Sequence, residues 1–257
     1  MAAVLLTVAY DGSLYSGWAP QANARTIAGE LLGAVRAVDP GVREVRGTSR
    51  TDAGVHARCQ IAAFDPTREI TPRGWALALA AELPAEIAIR SVGTVADGFD
   101  PRRHAVRKRY RYLVLRDESR DPFHERRAWR TFHPLDLDLA RAEAEALVGT
   151  HDFMAFRSVR DQRVDTVRTI ESATWTTLQD TPQVLAFDIV GTAFLYNMVR
   201  IIAGTLVDVA RGRLAPGAVA RALASHERRD LGTTAPAHGL YLERIDLDVV
   251  PDDVWPL

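Results

Sequence analysis

The alternation of apolar and polar positions divides the first hundred residues into three strands and two amphipathic helices. Residues 3–9 form a continuous apolar run, and together with residues 58–64 and 87–92 they predict strands. A helix begins after the capping residue Thr26, with an apolar face made of Ile27, Leu31, Val35 and Val38. A second helix begins at the Thr71-Pro72 pair and runs to about Glu82.

The second part of the chain opens with a strand at residues 109–115, in which Tyr110, Tyr112 and Val114 share one face. Strands are also predicted at 168–177, 183–190 and 240–249, and helices at 136–148, 193–210 and from Pro216 to about Ser225. Helices mixed with adjacent antiparallel strands predict an α+β fold. A connector rich in proline and arginine near residues 100–108 places the boundary between two subdomains, 1–105 and 106–257.

Composition limits the class of protein. Of 257 residues, 47% are hydrophobic and 25% charged, which is typical of a globular protein. Cys59 is the single cysteine, so no internal disulfide is possible and a reducing, cytoplasmic location is expected. No apolar run reaches the roughly 20 residues of a membrane span. The histidines show no ligand spacing, so we expect no metal site.

Charge is distributed unevenly although the net charge is only −1. Residues 101–130 contain eleven Lys or Arg against four Asp or Glu, a local excess of +7. The only lysine of the chain, Lys108, lies in this segment. Such a run is most often a solvated, salt-bridged surface. The alternative is a phosphate-binding surface, for which the planar arginine side chain is well suited.

The most informative string is SRTDAGVHA at residues 49–57, in which Asp52 precedes Ala-Gly and follows Arg50 by two positions. A carboxylate beside an arginine stays ionised and can attack a sugar carbon as a nucleophile. It is too acidic to serve well as a general base at neutral pH. An ordinary turn, in which Asp52 only caps backbone amides, is the alternative.

This string resembles the catalytic loop of the tRNA pseudouridine synthase A family. Five further segments resemble that family in the same order along the chain: YDGSLYSGW (10–18), FDPRRHAVRKRYRYLV (99–114), HDFMAFRS (151–158), AFLYNMVRIIAGTL (193–206) and APAHGLYL (235–242). Six ordered matches are far more specific than any single motif.

The resemblance implies a fold, a reaction and a partner. The fold would be two similar ferredoxin-like subdomains that form a continuous, mainly antiparallel sheet with a central basic cleft. The reaction would be the isomerisation of uridine to pseudouridine in the tRNA anticodon stem-loop, at tRNA positions 38, 39 and 40. It would need no cofactor, because no redox or group transfer occurs, and the enzyme would act as a homodimer.

The resemblance also implies roles for individual residues. Asp52 matches the catalytic aspartate, and Arg200 matches the basic residue that pairs with it. Tyr110 matches the active-site tyrosine, which would stack on the uracil near C5. Whether Asp52 attacks C1′ or acts through a glycal is left open by the sequence.

Substrate-binding candidates are Arg50, Tyr110, Arg107, Arg109 and His56. Arg50 matches the arginine of the catalytic loop. For His56, the favoured interpretation is a histidine at the start of a strand that is hydrogen-bonded to backbone. A stacked target base must leave its stack before the carboxylate can reach its sugar, and Arg50 is the candidate to fill the vacated space or hold the adjacent phosphate.

Four departures from the family pattern leave the target uridines open: Ser49, Ala19, residues 77–84 without the family's asparagine, and RRHA at 102–105. A divergent paralogue that modifies another RNA position is one alternative function. An RNA-binding protein without catalysis is another, although it would not need Asp52. A hydrolase that cleaves glycosides or nucleosides would require a second carboxylate about 5–9 Å away, and no such motif is evident.

Overall fold

The chain divides into two compact units in the computed structural model, which describes residues 1–256. Unit 1 comprises residues 1–106 and the C-terminal segment that begins at Leu242, and unit 2 comprises residues 107–241. The chain passes from unit 1 to unit 2 between residues 106 and 107, one residue after the predicted boundary between 105 and 106. The C-terminal segment was expected in the second subdomain, yet it lies in unit 1.

Eleven strands and five α-helices are present in residues 1–256. In chain order they are β1 (Ala3–Tyr10), α1 (Ile27–Val38), β2 (Arg46–Gly47), β3 (His56–Phe64), α2 (Pro72–Glu82), β4 (Ile87–Val95), β5 (Ala105–Arg116), β6 (Trp129–Thr131), α3 (Leu137–Glu145), β7 (Gly149–Asp152), β8 (Val167–Thr177), β9 (Val184–Gly191), α4 (Met198–Ala210), α5 (Ala218–Ser225), β10 (Leu240–Leu247) and β11 (Asp252–Pro256). The predicted α+β class with mainly antiparallel strands is confirmed.

In unit 1 the strands pair in the order β11-β4-β1-β3, and β2 extends the far side of β3. All of these pairings are antiparallel. The pairing of β11 with β4, in which Trp255 lies opposite Val92, explains why the C-terminal segment belongs to this unit. No apolar–polar alternation in the sequence predicts β11, which has five residues and begins with two aspartates.

Both helices of unit 1 begin where the sequence predicts. The Thr26 hydroxyl accepts a hydrogen bond from the Gly29 amide at the start of α1, at 3.3 Å. The Thr71 hydroxyl accepts from the Gly74 amide at the start of α2, where Pro72 occupies the first turn. These caps satisfy amides that lack partners within the helix.

In unit 2 the strands pair in the antiparallel order β5-β9-β8-β7, and β6 runs parallel to β5. As the sequence predicts, Tyr110 and Tyr112 of β5 are both buried on one face. Their partners across the ladder are Ile189 and Phe187 of β9. This face carries the candidate catalytic tyrosine.

Three predicted helices begin or end elsewhere. The helix predicted at 193–210 begins only at Met198, because Asn197 adopts a left-handed conformation with φ of 63° and the residues before it form an irregular loop. The helix predicted at 136–148 ends at Glu145, and Gly149 already starts β7. The last begins at Ala218 rather than Pro216, since Gly217 is also left-handed.

No helix within residues 1–256 combines the length and the apolar character that crossing a bilayer requires.

Candidate active site

Asp52 lies in a tight turn of unit 1, as the sequence predicts. The Val55 amide donates a hydrogen bond to the Asp52 carbonyl at 3.1 Å, which closes the turn. Gly54 has a φ of 78°, a conformation that an L side chain rarely adopts. The Asp52 side chain is half-buried, so its carboxylate is partly shielded yet still reachable.

The segment at residues 10–18 packs directly against this turn. A Cβ on Gly12 would lie 2.0 Å from the Val55 carbonyl oxygen, and one on Gly17 would lie 2.5 Å from the Thr51 carbonyl oxygen. The Trp18 amide donates to that same Thr51 oxygen at 3.0 Å. Two motifs far apart in the sequence therefore form one structure, which depends on glycine at both contacts.

Side chains fix the backbone just before Asp52. The buried amide of Gln60 donates to the Ser49 carbonyl at 2.6 Å and accepts from the Ser49 amide at 3.3 Å. The Thr51 and Tyr10 hydroxyls are hydrogen-bonded at 2.8 Å. Because each buried polar group is satisfied, these bonds hold the main chain that carries the carboxylate in one conformation.

Arg50 and His56 differ sharply in their surroundings. Arg50 is exposed and makes no hydrogen bond or ion pair within residues 1–256, so it does not hold Asp52 by direct contact. His56 starts β3, is only 2% exposed, and accepts a hydrogen bond on Nδ1 from the Gly12 amide at 3.2 Å. This is the backbone-bonded, strand-start arrangement favoured for His56 on the sequence.

In unit 2, the Tyr110 ring packs beside Phe194, which the sequence predicted to lie inside a helix. The Phe194 ring lies edge-to-face with Tyr110, with 5.0 Å between ring centroids. Phe194 is in the loop before α4 and not in the helix. Edge-to-face packing of this kind fixes the orientation of both rings.

Arg200 lies in the first turn of α4, and neighbouring groups hold its guanidinium group. Its Nε donates to the Ala235 carbonyl at 2.9 Å, and its Nη1 donates to the Asn197 side-chain oxygen at 3.0 Å. The left-handed backbone of Asn197 turns that side chain back towards the arginine. Arg200 is thus positioned by groups from two separate loops.

The loop that contains Ala235 is itself anchored by a buried carboxylate. Asp208 of α4 is 2% exposed and accepts from the Thr233 amide at 2.8 Å and the Thr233 hydroxyl at 3.1 Å. The Tyr112 hydroxyl donates to the Pro236 carbonyl at 2.8 Å. The segment APAHGLYL is therefore held from both sides.

Arg107 and Arg109 lie on the face of β5 opposite to Tyr110, because successive side chains of a strand alternate. Arg107 pairs with Glu171 at 2.7 Å, and Arg109 shares the buried carboxylate of Asp188 with Arg111. The basic segment is therefore partly neutralised on this face, as the solvated-surface interpretation predicts.

The structure places Asp52, Arg50 and His56 in unit 1, and Tyr110, Arg200, Arg107 and Arg109 in unit 2. The sequence motifs do not include the roles of the supporting residues, which are Gln60, Phe194, Asn197 and Asp208. A polar residue inside an apolar strand or helix, as at Gln60 and Asp208, was the available signal.

Comparison with known proteins identifies one family. A family model described as tRNA pseudouridine synthase matches residues 6–102 and 144–248. A protein named tRNA pseudouridine synthase A from Bacillus licheniformis is 41% identical, covering 94% of this chain and 98% of its own length. Its namesakes from Bacillus subtilis and Myxococcus xanthus are 39% and 41% identical; they cover 94% and 93% of this chain and 98% and 90% of their own lengths.

Proposed function

Because the chain belongs to the tRNA pseudouridine synthase family, we propose that it isomerises uridine to pseudouridine in tRNA with Asp52 as the nucleophile. The target is the anticodon stem-loop, at tRNA positions 38, 39 and 40. The observation that carries the assignment of Asp52 is its half-buried carboxylate on a turn whose backbone is fixed on both sides.

The reaction breaks the C1′–N1 bond, turns the uracil, and joins C1′ to C5. A proton then leaves C5, and N1 regains one. A carboxylate beside C1′ promotes this by forming an ester with C1′, or by removing the C2′ proton to give a glycal. Both routes need the carboxylate held in place beside C1′, and the turn around Asp52 fixes the backbone that carries it.

Tyr110 and Arg200 act on the base and on the carboxylate. The Tyr110 ring, held edge-to-face by Phe194, stacks on the uracil and lies near C5, where a proton must leave. Arg200 has the role that the resemblance implies, as the basic partner of Asp52. Its anchoring to Ala235 and Asn197 supports this role, since an anchored guanidinium group loses little freedom on forming the pair.

Arg50 takes part in extracting the target nucleotide. Its exposed, unpaired guanidinium group lies two residues from Asp52 and is available to RNA. It fills the space left by the flipped base or holds the neighbouring phosphate. Arg107 and Arg109 bind the tRNA backbone on the opposite face of β5, although their pairing with acidic residues weakens their contribution. His56 acts indirectly, by supporting the segment that contains Gly12.

The test is the Asp52→Asn substitution, with pseudouridines mapped in treated tRNA by carbodiimide-blocked primer extension. We expect the product to be lost while tRNA affinity stays within about threefold. The matched control is Asp97→Asn, whose side chain is 74% exposed in the same unit. It should retain wild-type activity.

Three results would contradict the proposal, each in a different way. Full activity of the Asp52 variant would remove that residue from the mechanism. Binding of tRNA by the wild-type protein with no product would favour an RNA-binding protein without catalysis. Free uracil in place of an isomerised nucleotide would favour a hydrolase.

We further propose that the protein acts in the cytoplasm as a homodimer. The resemblance supports the dimer, and the tRNA substrate and the single cysteine support the location. In a dimer, one subunit could hold the body of the tRNA while the other receives its anticodon arm. Mass photometry should give twice the 28.3 kDa chain mass without tRNA, and that mass plus the mass of bound tRNA when tRNA is present. One chain per particle under both conditions would exclude the dimer.

A further inference from the structure

Lys108 lies beside the candidate base-binding tyrosine in unit 2. It precedes Tyr110 by two residues in β5, so both side chains project from the same face of the strand. Across the ladder Lys108 faces Gly191, which has no side chain, while Tyr110 faces Ile189. No side chain of β9 therefore lies opposite the lysine on this face, and the Thr169 carbonyl oxygen, Ile170 and Phe194 approach Gly191 there instead.

Phe194 is one of the residues packed over Gly191. A Cβ on Gly191 would lie 3.2 Å from the Cζ atom of Phe194, and the Phe194 ring is in edge-to-face contact with Tyr110. Lys108, Tyr110 and Phe194 thus lie on the same face of the sheet. Two of them offer aromatic surface, and the third offers a cation.

The amine of Lys108 is half-buried, yet it makes no hydrogen bond or ion pair within the part of the chain that the structure describes. The arginines on the opposite face of β5 are paired: Arg107 with Glu171, and Arg109 and Arg111 with Asp188. The contrast is informative because burying an uncompensated charge costs free energy.

The electrostatic surroundings of Lys108 are also unfavourable to its charge. Burial lowers the pKa of the amine, and the nearby positive charge of Arg163 lowers it further. Asp161 is engaged by the Arg163 guanidinium group at 2.6 Å and by the Tyr196 amide at 2.9 Å. A lysine kept in such a position is a candidate for binding an anion.

In the reaction proposed above, the uracil that stacks on Tyr110 becomes an anion. When the C1′–N1 bond breaks, its electron pair stays on N1, and the negative charge spreads over the O2 and O4 oxygens of the uracil. We propose, on the basis of the function proposed above, that Lys108 donates a hydrogen bond to a carbonyl oxygen of the detaching uracil and stabilises this charge. Lys108 keeps its proton throughout, while C5 replaces N1 on C1′ and its proton leaves to solvent or to a base.

This role differs from holding a backbone phosphate. A phosphate is charged before and after the reaction, so removing a residue that binds it weakens tRNA binding. The uracil acquires its charge only as the bond breaks, so loss of the lysine slows the chemical step. The two roles therefore separate when affinity and rate are measured independently.

The experiment compares Lys108→Met, Lys108→Arg and the control Arg141→Gln. Arg141 is an exposed residue of unit 2 paired with Asp138, so its loss also removes one positive charge. Each variant is tested for its tRNA dissociation constant and for its single-turnover rate at saturating enzyme, followed as tritium released from C5 of labelled uridine.

We expect Lys108→Met to slow the single-turnover rate by about 10²–10³-fold, as removal of one charge-stabilising donor does elsewhere, with affinity changed less than about threefold. The single-turnover rate of Lys108→Arg should lie within about tenfold of the wild-type rate. The rate of the control Arg141→Gln should equal the wild-type rate. Unchanged rates in Lys108→Met, or a loss confined to affinity, would overturn the proposal. So would an arginine variant as slow as the methionine variant.

Failure of the proposed function is distinguishable from failure of this inference. If wild-type protein releases no tritium and forms no pseudouridine, the function itself is wrong. If the wild type is active and Lys108→Met matches it, only the role of Lys108 is wrong.

Discussion

The backbone of Gly12 meets the backbone of Val55 so closely that no side chain fits between them. A Cβ on Gly12 would lie 2.0 Å from the Val55 carbonyl oxygen. This contact joins the loop after β1 to the turn that presents Asp52. The position of the carboxylate thus depends on a glycine forty residues before it in the chain.

The Gly12→Ala substitution should therefore displace the Asp52 turn. We expect a destabilisation of about 1–3 kcal/mol from overpacking, and a fall in the single-turnover rate of tenfold or more. The control is Gly33→Ala in α1, where a Cβ meets nothing within 4 Å. It should stabilise the protein by about 0.5–1 kcal/mol. Thermal melts and rates that are equal for the two variants would contradict the steric argument.

Gln60 offers a second test of how the turn is held. Gln60→Leu removes both partners of the Ser49 backbone and leaves its amide and carbonyl buried without hydrogen bonds. Each unsatisfied group costs about 1–3 kcal/mol, so we expect a clear loss of stability in urea unfolding and a slower reaction.

The matched change is Gln21→Leu, since the Gln21 side chain is exposed and its amide donates a hydrogen bond to the Ser16 carbonyl. It should alter stability by less than about 0.5 kcal/mol. If the two variants unfold at the same urea concentration, the Gln60 bonds contribute nothing to the turn.

We expect Asp208 to influence the position of Arg200 indirectly, through the loop that contains Thr233 and Ala235. Asp208→Asn weakens the hold on Thr233 and breaks the ion pair with Arg211, which the structure shows at 2.5 Å. Breaking a buried pair costs about 3–5 kcal/mol. The rate should also fall, because the Ala235 carbonyl that positions Arg200 lies in the released loop.

Asp138→Asn serves as the control for this prediction, since Asp138 is 93% exposed. Calorimetry should show almost no change for it and a marked fall in melting temperature for Asp208→Asn. A stable, fully active Asp208 variant would show that the loop does not need this anchor.

Asp39 gives the protein an acid-dependent contribution to stability. Burial alone would raise its pKa, but hydrogen bonds from the Thr67 hydroxyl and from the amides of Thr67, Gly41 and Arg68 outweigh burial and hold the pKa below its ordinary value. A carboxylate whose pKa is lower in the folded state stabilises that state above its unfolded pKa of about 3.9. The contribution is lost as the pH falls through the lower, folded value.

Melting temperatures between pH 2 and pH 7 test this sign. The wild type should lose stability towards acid more steeply than Asp39→Asn, whose amide does not titrate in this range. Parallel curves for the two proteins would mean that Asp39 does not contribute to the acid response.

Local chemistry explains which elements could be predicted from the sequence. The starts of α1 and α2 follow from Thr26 and Thr71, whose hydroxyls cap the helices in the structure. The face shared by Tyr110 and Tyr112 follows from strand alternation alone. Each of these features depends on residues a few positions apart.

Features that depend on distant contacts escaped prediction. Residues 193–197 were predicted to be helical, but Asn197 has a left-handed backbone and the helix begins only at Met198, so Phe194 lies in the preceding loop, against Tyr110. Asp52 lies in unit 1, whereas Tyr110 and Arg200 lie in unit 2, so spacing along the chain carries no information about their geometry. The motifs pointed to Asp52, Tyr110 and Arg200, whereas the sequence marked Gln60 and Asp208 only as polar residues inside apolar elements, and the contacts they make emerge from the fold.

The antiparallel pairing of β11 with β4 has a consequence for synthesis of the chain. The N-terminal unit cannot be completed as the ribosome makes it, because its last strand emerges some 150 residues after the strand it pairs with. Until then, one side of β4 remains an open edge with unsatisfied amides and carbonyls, the kind of surface that recruits other strands. Nascent chains stalled in the second unit should therefore be the aggregation-prone species, and chaperone protection would matter most during that interval.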